Sequence, residues 1–137
     1  MDDMGVVIME KDPKTGLLSR ELGSYHINYD LNLIDKIFVT FENGEKIVNE
    51  YLTTPGEFKD WEFNAIYDTY DMEIYGDTIL SMEEDDESYN PTWLVRFDFL
   101  EDDVAMESKL NEILRMHSEE LKNVLEKIKG MEEEYRV

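Results

Sequence analysis

Residues 103–131 read DVAMESKLNEILRMHSEELKNVLEKIKGM, and this stretch decides how the rest of the chain must fold. Leu110, Leu114, His117, Leu121, Val124, Ile128 and Met131 recur at alternating steps of four and three, which sets them on one stripe of an α-helix. Glu101, Asp102 and Asp103 stand where a helix N-terminus accepts negative charge and a cap. Lys127 and Lys129 precede Gly130, the residue type that most easily ends a helix. From Asp103 to about Lys129 such a helix runs roughly 40 Å. With Leu114 and Leu121 at heptad position a, the flanking positions include Ile113 and Leu125 rather than charges. The apolar face is therefore wide, as packing on a sheet requires, and not the narrow seam of a zipper. Glu112 with Arg115, Glu119 with Lys122 and Glu126 with Lys129 support the solvated side. The last turns are expected to overhang the sheet and to offer a homodimer contact through the C-terminal helix.

Working back from this helix, Trp93, Val95, Phe97 and Phe99 alternate with Thr92, Leu94, Arg96 and Asp98, so their aromatic side is expected to receive it. Gly5 to Glu10 and Leu17 to Ile27 form a first hairpin around Asp12-Pro13-Lys14-Thr15-Gly16, with a bulge at Gly23. Lys36 to Glu42 and Ile47 to Thr53 flank Asn43-Gly44, a strong hairpin signal; the register stays open, since a two-residue turn would place Glu42 opposite Glu45. Thr54-Pro55-Gly56-Glu57 carries the marks of a helix start. Behind it Phe63, Ile66, Tyr67, Tyr70 and Ile74 hold helical spacing, up to Gly76-Asp77. Thr78 to Glu83 is a weaker strand, and Glu83-Glu84-Asp85-Asp86-Glu87 is expected to be a solvated loop. The order ββββ-α-ββ-α with hairpin-length connections implies a single α+β domain over residues 1–137: an antiparallel sheet of five to six strands, helices on one face.

Net charge is −21 over 137 residues and is unevenly spread. Between Glu57 and Asp103 sixteen acidic residues face only Lys59 and Arg96, a net of −14. Such a surface disfavours direct contact with nucleic acid or with an anionic membrane, which call for cationic patches. Solubility accounts for acidity in the plainest way. Attraction to a basic partner protein, or imitation of DNA's phosphate array, would use it. The 42% hydrophobic content is that of a globular protein. Without cysteine there is no disulfide, thiolate nucleophile or cysteine metal site. No run is long enough for a membrane span, and a cytoplasmic protein is the expectation.

Chemistry is hard to place. His26 and His117 belong to no ligand pair; His117, between Leu114 and Leu121, reads as a core histidine with a hydrogen-bond partner. The run at 83–87 lacks the alternating Asp spacing of a calcium loop, no serine sits in a nucleophile elbow, and no glycine-rich phosphate loop exists. No catalytic, cofactor or metal residue is nominated, and the reading leans against an enzyme. Aromatic side chains crowd into the acidic third, and Tyr and Trp anchor protein contacts while acids steer basic partners. The candidate interaction surface is Glu83, Glu84, Asp85, Asp86, Glu87, Tyr89, Trp61, Tyr70 and Tyr75. The alternatives are a DNA-mimic inhibitor of a DNA-binding protein and a small-molecule binder or enzyme with a pocket between sheet and helices.

Tyr89-Asn90-Pro91-Thr92-Trp93 and Asp60-Trp61-Glu62-Phe63-Asn64-Ala65-Ile66-Tyr67, with the early hairpin and the closing charged helix, resemble an uncharacterised family of small acidic bacterial proteins. The resemblance spans nearly the whole chain. It implies a bacterial single-domain protein and transfers no activity or site residue.

Overall fold

A computed structural model describes residues 5–135. Six strands form one sheet: β1 (Gly5–Lys11), β2 (Leu18–His26), β3 (Ile34–Glu42), β4 (Glu45–Thr53), β5 (Ser81–Asp85) and β6 (Thr92–Asp98). Their spatial order is β2-β1-β3-β4-β6-β5. Every neighbouring pair is antiparallel except β1 with β3, so the sheet is mixed rather than wholly antiparallel. The exception is topological: β2 occupies the outer side of β1, and the chain returns past it through Leu31–Leu33 to enter β3 in the direction of β1.

The predicted hairpins form as read. Asn43 (φ 55°) and Gly44 (φ 81°) both take the left-handed region, which a two-residue turn of matching twist needs. Glu42 does pair with Glu45, and Arg96 forms a salt bridge with Glu42 from β6. In the first hairpin the pairing slips between Ile8–Gly23 and Met9–Glu21, a bulge beside Gly23. A Cβ at Gly23 would stand 2.2 Å from the Tyr25 hydroxyl, so the tyrosine ring lies where only glycine leaves room.

Two expectations are corrected. The helix expected from Thr54 to Gly76-Asp77 is shorter at both ends: it is α1 (Asp60–Thr69), and a separate 3-10 segment, Met72–Thr78, follows the extended Tyr70. Gly56 has φ 124°, and the Thr54 hydroxyl is spent on the Pro91 carbonyl at 2.9 Å instead of capping a helix. Asn90 holds the Thr54 and Gly56 carbonyls, and the Glu62 carboxylate accepts from the Lys59 amide at 2.7 Å at the true helix start. The acidic run is the second. Glu83, Glu84 and Asp85 belong to β5, because an edge strand needs ladder bonds on one side only and its side chains still reach water.

The long helix α2 (Asp103–Ile128) has the predicted limits, with Asp102 capping the Ala105 amide at 2.8 Å and Gly130 at φ 87° beyond its end. The predicted stripe from Leu110 to Ile128 is buried, joined by Met106, Ile113 and Glu120. It rests on Ile8, Val39, Val48, Leu52, Trp93, Val95 and Phe97, inward residues of β1, β3, β4 and β6. On its outer side Lys129 pairs with Glu126 as expected, whereas Arg115 takes Glu119 instead of Glu112. A short α3 (Glu132–Tyr135) turns back, bringing Tyr135 to within 6.3 Å of Trp61. Both α2 and α3 pack against α1 within the chain, where an overhang of the last turns was expected. Among the described residues no helix is long and apolar enough to cross a membrane.

Candidate functional site

Polar side chains cluster in two places on the helix-covered face of the sheet. The first is interior. Where α2 crosses β4, His117 is fully buried and its Nε2 lies 2.9 Å from the Thr53 carbonyl. A carbonyl only accepts, so Nε2 carries the proton. Burial lowers the His117 pKa to about 4, although the Thr53 bond acts the other way, and the ring is neutral near pH 7. Its bare Nδ1 therefore accepts from the Tyr70 hydroxyl at 2.8 Å, and the Tyr70 oxygen accepts from the Tyr75 hydroxyl at 2.7 Å. Tyr70 also stacks on Trp93 at 4.3 Å. Burial, first of all, pushes the pKa of both tyrosines far up, so neither ionises in the working range.

Glu50 completes this interior group. It sits on β4 between the inward-facing Val48 and Leu52, is 0% exposed, and neither carboxyl oxygen has a hydrogen-bond partner among the described residues. Burial raises its pKa to about 8. Nearby Glu120 is tied down: its Oε2 accepts from the Asp71 amide at 2.9 Å. The sequence reading saw His117 as a core histidine, which it is, with two partners rather than one. It missed Glu50. The signal was present, because Val48 and Leu52 at alternate positions predict that Glu50 points the same way.

The second cluster lies at the sheet edge. Phe63, Asn64, Tyr67 and Asp68 of α1 face Glu84, Asp86 and Ser88 across a groove of about 360 Å³. The Tyr67 hydroxyl bonds the backbone of both hairpin arms, at Asp85 and Thr92, and so holds the wall in place. Glu84 has its pKa raised by partial burial and then by the charges of Asp68 and Asp86. Among the described residues none of these three carboxylates is in a salt bridge; Asp68 accepts from the Tyr135 hydroxyl at 2.9 Å. Further along β5 a wider groove of about 680 Å³ runs from Tyr70 past Asp71, Glu73 and Asp77 to Ile79, Leu80 and Met82. No three acidic or histidine side chains among the described residues gather closely enough to hold a metal ion.

The predicted surface residues do not gather on one surface, and Glu87 is exposed in the turn after β5. Glu84 and Asp86 come together in the groove. Glu83 pairs opposite Leu94 and so takes the other face of the sheet, while Asp85 is used locally, accepting from the Glu87 amide and the Ser88 hydroxyl. Tyr89 is exposed beyond the turn, and Trp61 is half-buried against Tyr135. Tyr70 and Tyr75, at 5% and 2% exposed, are interior residues whose hydroxyls find partners in the core, although Tyr70 also borders the wider groove.

A six-stranded α+β sheet with one covered face and an acidic edge groove defines the class of protein. The chain belongs to a family of unknown function, DUF6762, whose match extends over residues 1–136. No curated protein and no solved structure matches it.

Proposed function

We propose that this is a non-enzymatic protein-binding module whose edge groove, between α1 and the β5–β6 hairpin, takes a basic segment of a partner protein. One observation carries the reading: Asp68, Glu84 and Asp86 converge on an aromatic-walled groove with no cation among the described residues to pair them. Glu84 is raised by partial burial first and by like charges second; a lysine or arginine side chain entering between Phe63 and Tyr67 would offset both, and its stem would lie along the rings. The carboxylates along the wider groove, Asp71, Glu73 and Asp77, extend the same chemistry beside β5. A DNA mimic needs acids in one row; the alternation of β5 sends Glu83 and Glu84 to opposite faces, which favours the groove. The small-molecule alternative would use His117 and Glu50, and neither lines these grooves. The setting we infer is a bacterial cytoplasm.

The test is binding of a fluorescent peptide rich in lysine and arginine, followed by anisotropy. Replacing Asp68, Glu84 and Asp86 by their amides is expected to weaken binding at least about ten-fold, with strong salt dependence in the parent. The control removes the same charge from exposed sites on α2, Glu112, Glu119 and Glu126, and should cost about two-fold or less. Equal losses in both triple variants would assign binding to overall charge and end the groove reading.

A further inference from the structure

The two edges of the sheet end differently. At β2 the backbone of the last residue is already taken by α2: the His26 amide donates to the Glu107 carboxylate at 2.6 Å, and the His26 carbonyl accepts from the Asn111 side chain at 3.0 Å. Register shifts also break the pairing of β2 with β1 in two places. Such devices keep an edge from accepting another strand. At the opposite edge β5 is regular and uncovered. It pairs residue for residue with β6, from Ser81 opposite Arg96 to Asp85 opposite Thr92, and among the described residues β6 is the one element that runs closely along it. Every second residue of an edge strand turns its N–H and C=O away from the sheet. Among the described residues the backbone of residues 81–84 has no hydrogen bond beyond β6; the Asp85 carbonyl, which accepts from the Tyr67 hydroxyl, closes the open stretch.

The two grooves beside β5 follow one another along this strand. Ile79, Leu80, Ser81 and Met82 border the wider one, and Glu84, Asp86 and Ser88 the narrower. Acids stand on both faces of β5: Glu84 with Asp68 and Asp86 in the narrower groove, and Glu83 on the opposite face. A second copy of this chain pairing through its own β5 would set these acids against their counterparts, and like charges placed across strands are destabilising. A strand carrying lysine or arginine would meet opposite charge on either face. The edge is thus closed to its own kind and open to a basic strand.

We propose that the basic segment of the partner protein binds as an additional strand, hydrogen-bonding the open backbone of β5 while its cationic side chains reach Asp68, Glu84 and Asp86. This rests on the groove assigned above and adds to it the mode of recognition. Main-chain bonds supply affinity that is indifferent to sequence, and the side chains at alternate positions choose the partner. The segment is therefore extended, has no proline where an amide must face β5, and is basic at every second residue.

The experiment uses the full chain and a fluorescent peptide of about nine residues that alternates lysine with valine. Two further versions are N-methylated, one at the interior lysines and the other at the interior valines, which removes amide donors and leaves every side chain in place. In an added strand only one of these two sets of amides faces β5. One methylated peptide should therefore bind within about two-fold of the parent peptide, and the other at least about ten-fold more weakly. The outward amides of residues 81–84 should exchange with solvent more slowly in the complex with the unmethylated peptide. Methylated peptides of equal affinity would overturn strand addition, as would β5 amides that exchange no more slowly in the complex. The groove would survive either result so long as Asp68→Asn, Glu84→Gln and Asp86→Asn together still weaken the unmethylated peptide. No binding of that peptide, or binding indifferent to those three carboxylates, would end both readings.

Discussion

Glu50 and Glu84 point from the same face of the same sheet, two strands apart, and meet opposite surroundings. Glu50, on β4, is fully buried, and burial accounts for its raised pKa. Glu84, on the edge strand, remains exposed, and the charges of Asp68 and Asp86 add to a partial burial. The first is an acid without water; the second is an acid with too many like neighbours. Only the second can be relieved by a partner arriving from outside, and for that reason binding is assigned to the edge.

Removing the buried acid should separate the two regions most strongly. Because Glu50 has its pKa raised above the ordinary carboxylate value, the folded state keeps a proton that the unfolded chain releases. Its stabilising balance is intact below about pH 4.5 and is lost as pH rises to about 8. Glu50→Gln should therefore gain stability over the parent by roughly 4 kcal/mol at pH 8, and by little at pH 4.5. Urea unfolding at the two pH values measures this, and an equal difference at both would break the contrast with Glu84.

His117 sharpens it from the other side. Its lowered pKa means that the unfolded chain takes up a proton the folded state refuses, so stability is present above about pH 6.5 and is lost toward pH 4. Over about pH 4.5–6.5 the two interior groups oppose each other, and their combined slope should nearly vanish. In His117→Leu the Thr53 carbonyl and the Tyr70 hydroxyl lose their partner, at a cost of roughly 2–4 kcal/mol near pH 7. With His117 gone the Glu50 slope is unopposed, and stability should rise as pH falls from about 6.5 to about 4.5. A variant that keeps the parent's slope below pH 6.5 would show that other groups set the acid limb.

At the edge the effects are smaller. Tyr67→Phe removes the hydroxyl that joins α1 to both arms of the β5–β6 hairpin, and should cost about 1–2 kcal/mol and loosen the groove. Hydrogen exchange of the Thr92 amide, which donates to that hydroxyl, gives a direct readout. Glu84→Gln alone should change stability by less than about 0.5 kcal/mol while weakening the basic peptide severalfold. A stability change as large as that of Glu50→Gln would erase the distinction between the two acids. Smallest of all, Arg115→Ala breaks an exposed pair with Glu119 and should be within about 0.5 kcal/mol of the parent.

What local pattern could specify, the sequence read correctly. The limits of α2 follow from its Asp102 cap, its stripe and Gly130, all within the reach of neighbouring residues. The Asn43-Gly44 turn, the Gly23 bulge and the inward face of β6 are likewise local. Four outcomes depended on residues far apart in the chain. Thr54 gave its hydroxyl to Pro91 rather than to a helix, the acids at 83–85 became an edge strand through β6, and β1 met β3 in parallel because β2 lay outside it. Tyr70 and Tyr75, exposed in any reading that counts aromatics and acids together, were drawn inward by His117 across 47 positions of sequence. Periodicity says which side of an element is apolar. It does not say which side chains from other elements will stand there, and that alone decides whether an acid such as Glu50 is buried without a partner or an acid such as Glu84 waits at the surface for one.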